Sequence, residues 1–175
     1  MTTTTSEKDK AMTRKLETIR YGVIAGAAGG LAEIAWVALY AVAAGGNAAI
    51  LARGVTTAAG VSALFPVSAL GLGVSVHMTL AVMLGVALAF AWQAFSAKRG
   101  GSSNPYPFML AALAGVWAIN FFVVLPLVSP AFIHLVPYAV SLTSKLLFGL
   151  AAAAVLRRQD ETALNARPAV SARSA

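Results

Sequence analysis

Residues 21–43 read YGVIAGAAGGLAEIAWVALYAVA, 23 positions that carry a single charge, Glu33, near the middle. A helix needs ~20 mainly apolar residues to cross the ~30 Å hydrocarbon core of a bilayer. A membrane-barrel strand would instead alternate apolar and polar residues over ~10 positions. No such alternation is present here. Helices satisfy their own backbone hydrogen bonds in lipid, so the stretch reads as a transmembrane helix.

The same pattern recurs along the chain. No Asp, Glu, Lys or Arg lies between Arg53 and Lys98, and only Lys145 lies between Arg99 and Arg157. Four spans are predicted: Tyr21–Ala43, Val67–Phe95, Phe108–Val128 and His134–Leu156. The second exceeds the required length, so it tilts or projects beyond the bilayer. Composition agrees: 59% of the 175 residues are hydrophobic and 11% are charged, against ~25% charged in a soluble domain. The predicted fold class is all-α, an integral membrane bundle of four transmembrane helices. Its environment and first partner is the lipid bilayer. A homo-oligomer or a membrane partner subunit is compatible with this reading.

Four spans place both termini on one side. Lys8, Lys10, Arg14, Lys15 and Arg20 precede the first span, Lys98 and Arg99 follow the second, and Arg157, Arg158, Arg167 and Arg173 follow the fourth. Only Arg53 falls on the opposite side. The positive-inside rule then makes both termini and the 96–107 loop cytoplasmic. The Ala/Gly-rich composition suggests a bacterial inner (plasma) membrane. The net charge of +7 reads as a topology signal touching anionic headgroups. No basic run is dense enough or interleaved with aromatics to suggest a nucleic-acid groove.

Residues 1–20 read as a disordered cytoplasmic N-tail, 21–156 as the transmembrane domain, and 157–175 as a disordered cytoplasmic C-tail. Asp160-Glu161 reads as solvated charge in that tail. Pro107 suits the first turn of the third helix. Pro126, Pro130 and Pro137 stiffen the turn between the third and fourth spans. Between the first two spans, Ala44–Pro66 reads either as a short interfacial helix or as an ordered loop. The first span fits a signal peptide only in outline, because its apolar run is too long and contains Glu33. It is therefore expected to remain as an anchor.

Four polar residues share one depth. Counting inward at 1.5 Å per residue, Glu33, His77, Asn120 and Lys145 all lie roughly 12–17 Å below the outer surface. A lone charge at the membrane centre costs ~2.5–3.5 kcal/mol on insertion scales, so such groups face the bundle interior and seek partners. Glu33 and Lys145 are the natural pair. Gly22, Gly26, Gly29 and Gly30 share the face of Glu33, and Gly22/Gly26 and Gly26/Gly30 form small-xxx-small pairs that admit a close helix neighbour. Glu33, His77, Asn120 and Lys145 are thus the candidate ion- or solute-binding residues. The other reading makes them a structural ion pair with polar glue.

Other chemistry finds less support. Cysteine is absent, which removes disulfides, thiolate metal sites and cysteine nucleophiles. His77 and His134 differ in depth, so a haem bridging them is not expected, and no cofactor or metal is assigned. Ser141 and Lys145 have the spacing of a Ser–Lys dyad, but on an apolar helix packing and back-bonding explain them. Gly26-Ala-Ala-Gly29-Gly30 follows no strand, so it is not a nucleotide-binding turn. Trp36, Tyr40, Trp92, Tyr106 and Tyr138 are expected mostly near the interfaces. No enzymatic activity is expected. Two functional classes remain open, a transporter or channel-like subunit and a non-catalytic accessory, assembly or scaffold protein.

Gly30-Leu31-Ala32-Glu33-Ile34 resembles the first helix of small multidrug-resistance exporters. That family has four short helices and a functional glutamate in the first. The resemblance covers about ten residues and implies that Glu33 is a proton-coupled site. The chain departs from the family in its length, its long first external connection and Lys145. Its one-sided charge bias argues against the dual, antiparallel topology of that family.

The basic asymmetry sets a direct test of topology. Cysteines introduced at Ser102 and Ser171 should be shielded from an impermeant outside reagent in intact cells, and one at Asn47 should be labelled. Labelling at Ser102 but not Asn47 would reverse the orientation.

Overall fold

The computed structural model describes residues 3–45, 56–57, 69–99, 104–128, 130 and 137–165. These residues are almost entirely helical: α1 (Thr3–Ala43), α2 (Ala69–Lys98), α3 (Pro105–Ile119), a π-helical turn (Asn120–Val124), a final turn α4 (Leu125–Val128) and α5 (Tyr138–Asn165). Among the described residues, four apolar helical segments are long enough to cross a membrane: Glu7–Ala43, Gly71–Lys98, Pro105–Val128 and Tyr138–Thr162. The protein is a multi-pass membrane protein with an all-helical bundle.

The sequence explains the helix ends. Asn104 caps α3, its side chain accepting the Tyr106 N–H at 3.1 Å. Pro105 fills the next position, where a missing N–H costs nothing. The helix thus begins three residues before the expected Phe108. At the other end Pro126 has no N–H for the Phe122 carbonyl, and its ring crowds that carbonyl. The chain responds with a wider turn, in which the Leu125 N–H bonds to the Asn120 carbonyl. Hydroxyls inside the spans bond back to their own helix, as Ser75 does to Gly71 and Thr79 to Ser75, each at 2.9 Å.

Three expectations are corrected. The polar N-terminal residues are helical from Thr3 and continuous with the first span. No glycine or proline interrupts residues 1–21, and Thr13 and Thr18 bond to the carbonyls four residues earlier. At 1.5 Å per residue α1 is about 60 Å long, twice the hydrocarbon thickness. The C-terminal segment is also helical, to Asn165. There Arg157 bonds to Glu161 one turn on, at 2.9 Å, a pairing that adds a few tenths of a kcal/mol. Asp160 is half-buried and faces the Trp92 indole rather than standing in water. Of Ala44–Pro66, only Ala44, Gly45, Thr56 and Thr57 are described, so the choice between interfacial helix and loop lies outside the described residues, as do Arg53 and His134.

Neighbouring helices run antiparallel. Gly22 meets Val86 and Ala89 of α2, while Gly30 meets Met78 and Ala81, so α1 and α2 run in opposite directions. Trp36 bonds to the Val140 carbonyl and Glu33 to Ser144, which sets α5 against the other side of α1. Gly149 touches Met109, and Trp117 bonds to Ser141, so α3 lies beyond α5. The spatial order is α2–α1–α5–α3. The seam between α2 and α3 is closed near the ends of the helices by the rings of Trp92, Phe95 and Phe108, with centroids 4.8–5.9 Å apart. Trp92 is therefore a core residue, packed between helices rather than facing outward.

The core occupies the half of the bundle nearest the termini. It comprises Ala25, Ala81, Leu88, Ala89, Trp92, Met109, Leu113, Phe148, Ala152, Ala153 and Leu156. Outward faces are equally apolar, including Leu31, Leu39, Leu80, Met83, Ile119 and Leu127. A helix apolar all round suits lipid on one side and protein on the other. The helix contacts rest on small residues. A methyl group added at Gly26 would stand 2.7 Å from Val82 Cα, and one at Gly22 2.6 Å from Val86 Cα. Both neighbours are backbone and cannot give way cheaply.

Gly26→Leu should therefore force α1 and α2 apart, at a cost of about 1–3 kcal/mol or more. Lower thermal stability in detergent is the expected result. Gly115, with open space around it, should tolerate Gly115→Ala without loss.

Candidate functional site: a buried carboxylate between two bases

Glu33 is brought to the centre of the bundle by α1, the helix flanked on both sides. Its side chain is 3% exposed. Lys145 of α5 places Nζ 2.6 Å from Oε1. Ser144, the preceding residue, donates its hydroxyl to the same oxygen at 3.3 Å. On the opposite side, His77 of α2 sets Nε2 3.4 Å from Oε2. Three helices thus converge on one carboxylate.

The two contacts of Glu33 differ in kind. Lys145 makes a short, charge-assisted hydrogen bond, the stronger class of such interactions. His77 is close enough for a Coulombic contact, but its Nε2 is buried and has no hydrogen-bond partner. The N–H alignment that a hydrogen bond requires is missing. The Gly30 carbonyl lies beside the imidazole. A neutral imidazole has one donor and one acceptor nitrogen. Whenever Nε2 carries no proton, Nε2 and Oε2 are facing acceptors 3.4 Å apart.

Exposure separates the groups further. The side chains of His77 and Lys145 are 26% and 23% exposed, while Glu33 is almost wholly covered. Lys145 also lies over the Phe148 ring, 5.9 Å from its centre. The surrounding indoles are fixed. Trp36 donates to the Val140 carbonyl at 3.0 Å, and Trp117 donates to the Ser141 hydroxyl at 3.2 Å. Trp117, Phe121, Phe122 and Tyr138 form an aromatic cluster on the far side of the site from the core.

Of the four expected site residues, Glu33, His77 and Lys145 come together. Asn120 is not among the described partners of Glu33. It opens the π turn on α3, which is separated from α1 by α5. Ser144 was missed. It lies next to Lys145 in sequence and 100° away around the helix, and both reach Glu33 because α1 sits between them. A hydroxyl inside an apolar span was the available signal. Ser141, the other serine on this face, accepts the Trp117 indole N–H. Among the described residues, no three His, Asp or Glu side chains group as metal ligands.

Comparison with known proteins adds no relative: no family model, no curated protein and no solved structure matches this chain.

Breaking one side of the pair leaves a buried charge. Glu33→Gln or Lys145→Met alone should cost about 3–5 kcal/mol, and the double variant should recover much of that loss. Thermal or denaturant unfolding in detergent measures the cycle. Double-variant stability equal to the sum of the single losses would mean that the two residues do not act as partners.

Proposed function

We propose that the protein is a small transporter or channel-like subunit of a bacterial inner membrane, with both termini cytoplasmic, and that Glu33 is its proton-binding group. It is read as a non-enzymatic protein, acting as a homo-oligomer or with a membrane partner subunit. One observation carries the reading: the buried Nε2 of His77 stands 3.4 Å from Glu33 without a hydrogen bond. A structural clamp needs only the Glu33–Lys145 pair. A third ionisable group left unsatisfied at that depth is costly, and such groups mark ion and proton pathways. Histidine exchanges protons near neutral pH and can both donate and accept a hydrogen bond.

In this mechanism His77 passes a proton to Glu33, and the protonated carboxyl loosens its hold on Lys145. The partial exposure of His77 and Lys145 beside the covered carboxylate supports access to the site. The second reading, a scaffold or assembly protein, draws on a different observation. The carboxylate itself is covered, and Oε1 already holds two partners.

Purified protein in liposomes separates the two. Transport predicts a flux that depends on a pH gradient. Glu33→Gln should abolish that dependence while the protein stays folded, and His77→Ala should shift the pH at which flux is half-maximal. A folded Glu33→Gln protein that keeps every flux of the native chain assigns the polar layer to the scaffold role.

A further inference from the structure

Resting on the transport reading, we infer that the Glu33 site carries a small monovalent anion together with a proton. The charge inventory of the site is lopsided: one carboxylate against one ammonium and one imidazole. Facing Glu33, α2 contributes His77 and α5 contributes Lys145. Among the described residues, α3 brings no Asp, Glu, Lys, Arg or His to this level. With Glu33 ionised and His77 neutral, Lys145 and Glu33 cancel. When Glu33 takes up a proton, the ammonium of Lys145 is left unbalanced inside an apolar bundle. A cation arriving then would add to the excess. An anion removes it.

The donors are placed for this exchange. Lys145 has three N–H donors and offers one to Glu33 Oε1. The Ser144 hydroxyl points to the same oxygen. His77 Nε2, without a hydrogen-bond partner on the opposite side, joins these donors only when it carries a proton. An anion that takes the place of the Glu33 carboxylate inherits this donor set. Lys145 is partly exposed while Glu33 is covered, so an entering ion meets the ammonium before the carboxylate. The trade of one carboxylate charge for one anion charge selects a monovalent species: a halide, an oxyanion or a small carboxylate. Proton and anion cross together, so each turnover moves no net charge. By linkage, proton uptake tightens anion binding, and anion binding tightens proton uptake to the same degree.

The test uses the full chain in liposomes loaded with a pH-sensitive dye, with the membrane potential clamped by potassium and an ionophore. Inward gradients of chloride, nitrate and lactate are compared with an inward sodium gradient. The expected result is lumen acidification driven by at least one anion. Its half-saturating concentration should fall by roughly 5- to 150-fold from mildly alkaline to mildly acidic external pH. Lys145→Met should remove the anion-driven signal. Because that variant leaves Glu33 unpaired and risks misfolding, the Glu33→Gln/Lys145→Met protein, with no unpaired charge, must lose the signal too. Glu33→Gln should remove the pH dependence of anion binding. A lumen pH change driven by sodium and by none of the anions overturns the anion assignment and leaves proton-coupled transport standing. No pH change under any gradient, from protein with an intact helical circular-dichroism spectrum, overturns both.

Discussion

A carboxylate and an ammonium 2.6 Å apart in an apolar bundle set the conditions that the other helices satisfy. Neither charge is tolerable alone at that depth. Their pairing therefore determines which faces of α1 and α5 meet, and at what height. Once Glu33 faces α5, the glycines a turn or more away in sequence, Gly22, Gly26 and Gly30, line up toward α2. His77 then falls on the other oxygen of the same carboxylate. The central position of α1 follows from a single residue that needs partners on two sides.

The functional readings share this arrangement and differ in one respect, the mobility of the proton near Glu33. Lys145 holds the carboxylate through a bond that needs no third group. His77 contributes no directed bond, and its Nε2 stands 3.4 Å from the second carboxylate oxygen. A clamp would be stronger with an apolar side chain in place of His77, because a buried nitrogen without a partner is a net cost. Its presence weighs toward a group that works.

Much of this was legible in the residues. Long uncharged runs marked the four helices, since each charge excluded from a span leaves a visible gap in the sequence. Small-residue spacing around Glu33 marked the face against which another helix packs. The ends were less legible. The polar residues before Tyr21 lack an apolar stripe strong enough to announce a helix, yet they continue one already nucleated by the membrane span, and extension costs far less than nucleation. Depth alone also could not sort the polar layer. Gly149 against Met109 and Ser141 against Trp117 set Lys145 level with Leu113, so Asn120 lies roughly 10 Å further along the helix axis, on a helix that α5 separates from α1, whereas Ser144 needed the relative rotation of α1 and α5 to be recognised. The π turn was written in Pro126, whose effect reaches back to the carbonyls of the preceding turn.

The glycine seam divides the molecule mechanically. Where α1 and α2 meet, Gly22, Gly26 and Gly85 bring backbone against backbone, and two helices locked at that distance move as a single plank. On the other side, α3 is interrupted by a wide turn and meets α2 mainly through three aromatic rings at one end. Stiffness is therefore unequally shared: His77 and Glu33 ride on the plank, while α3 is the compliant wall. Bending of the bundle therefore costs least in that wall at Asn120–Val124, with the ring cluster of Trp92, Phe95 and Phe108 as its fixed end.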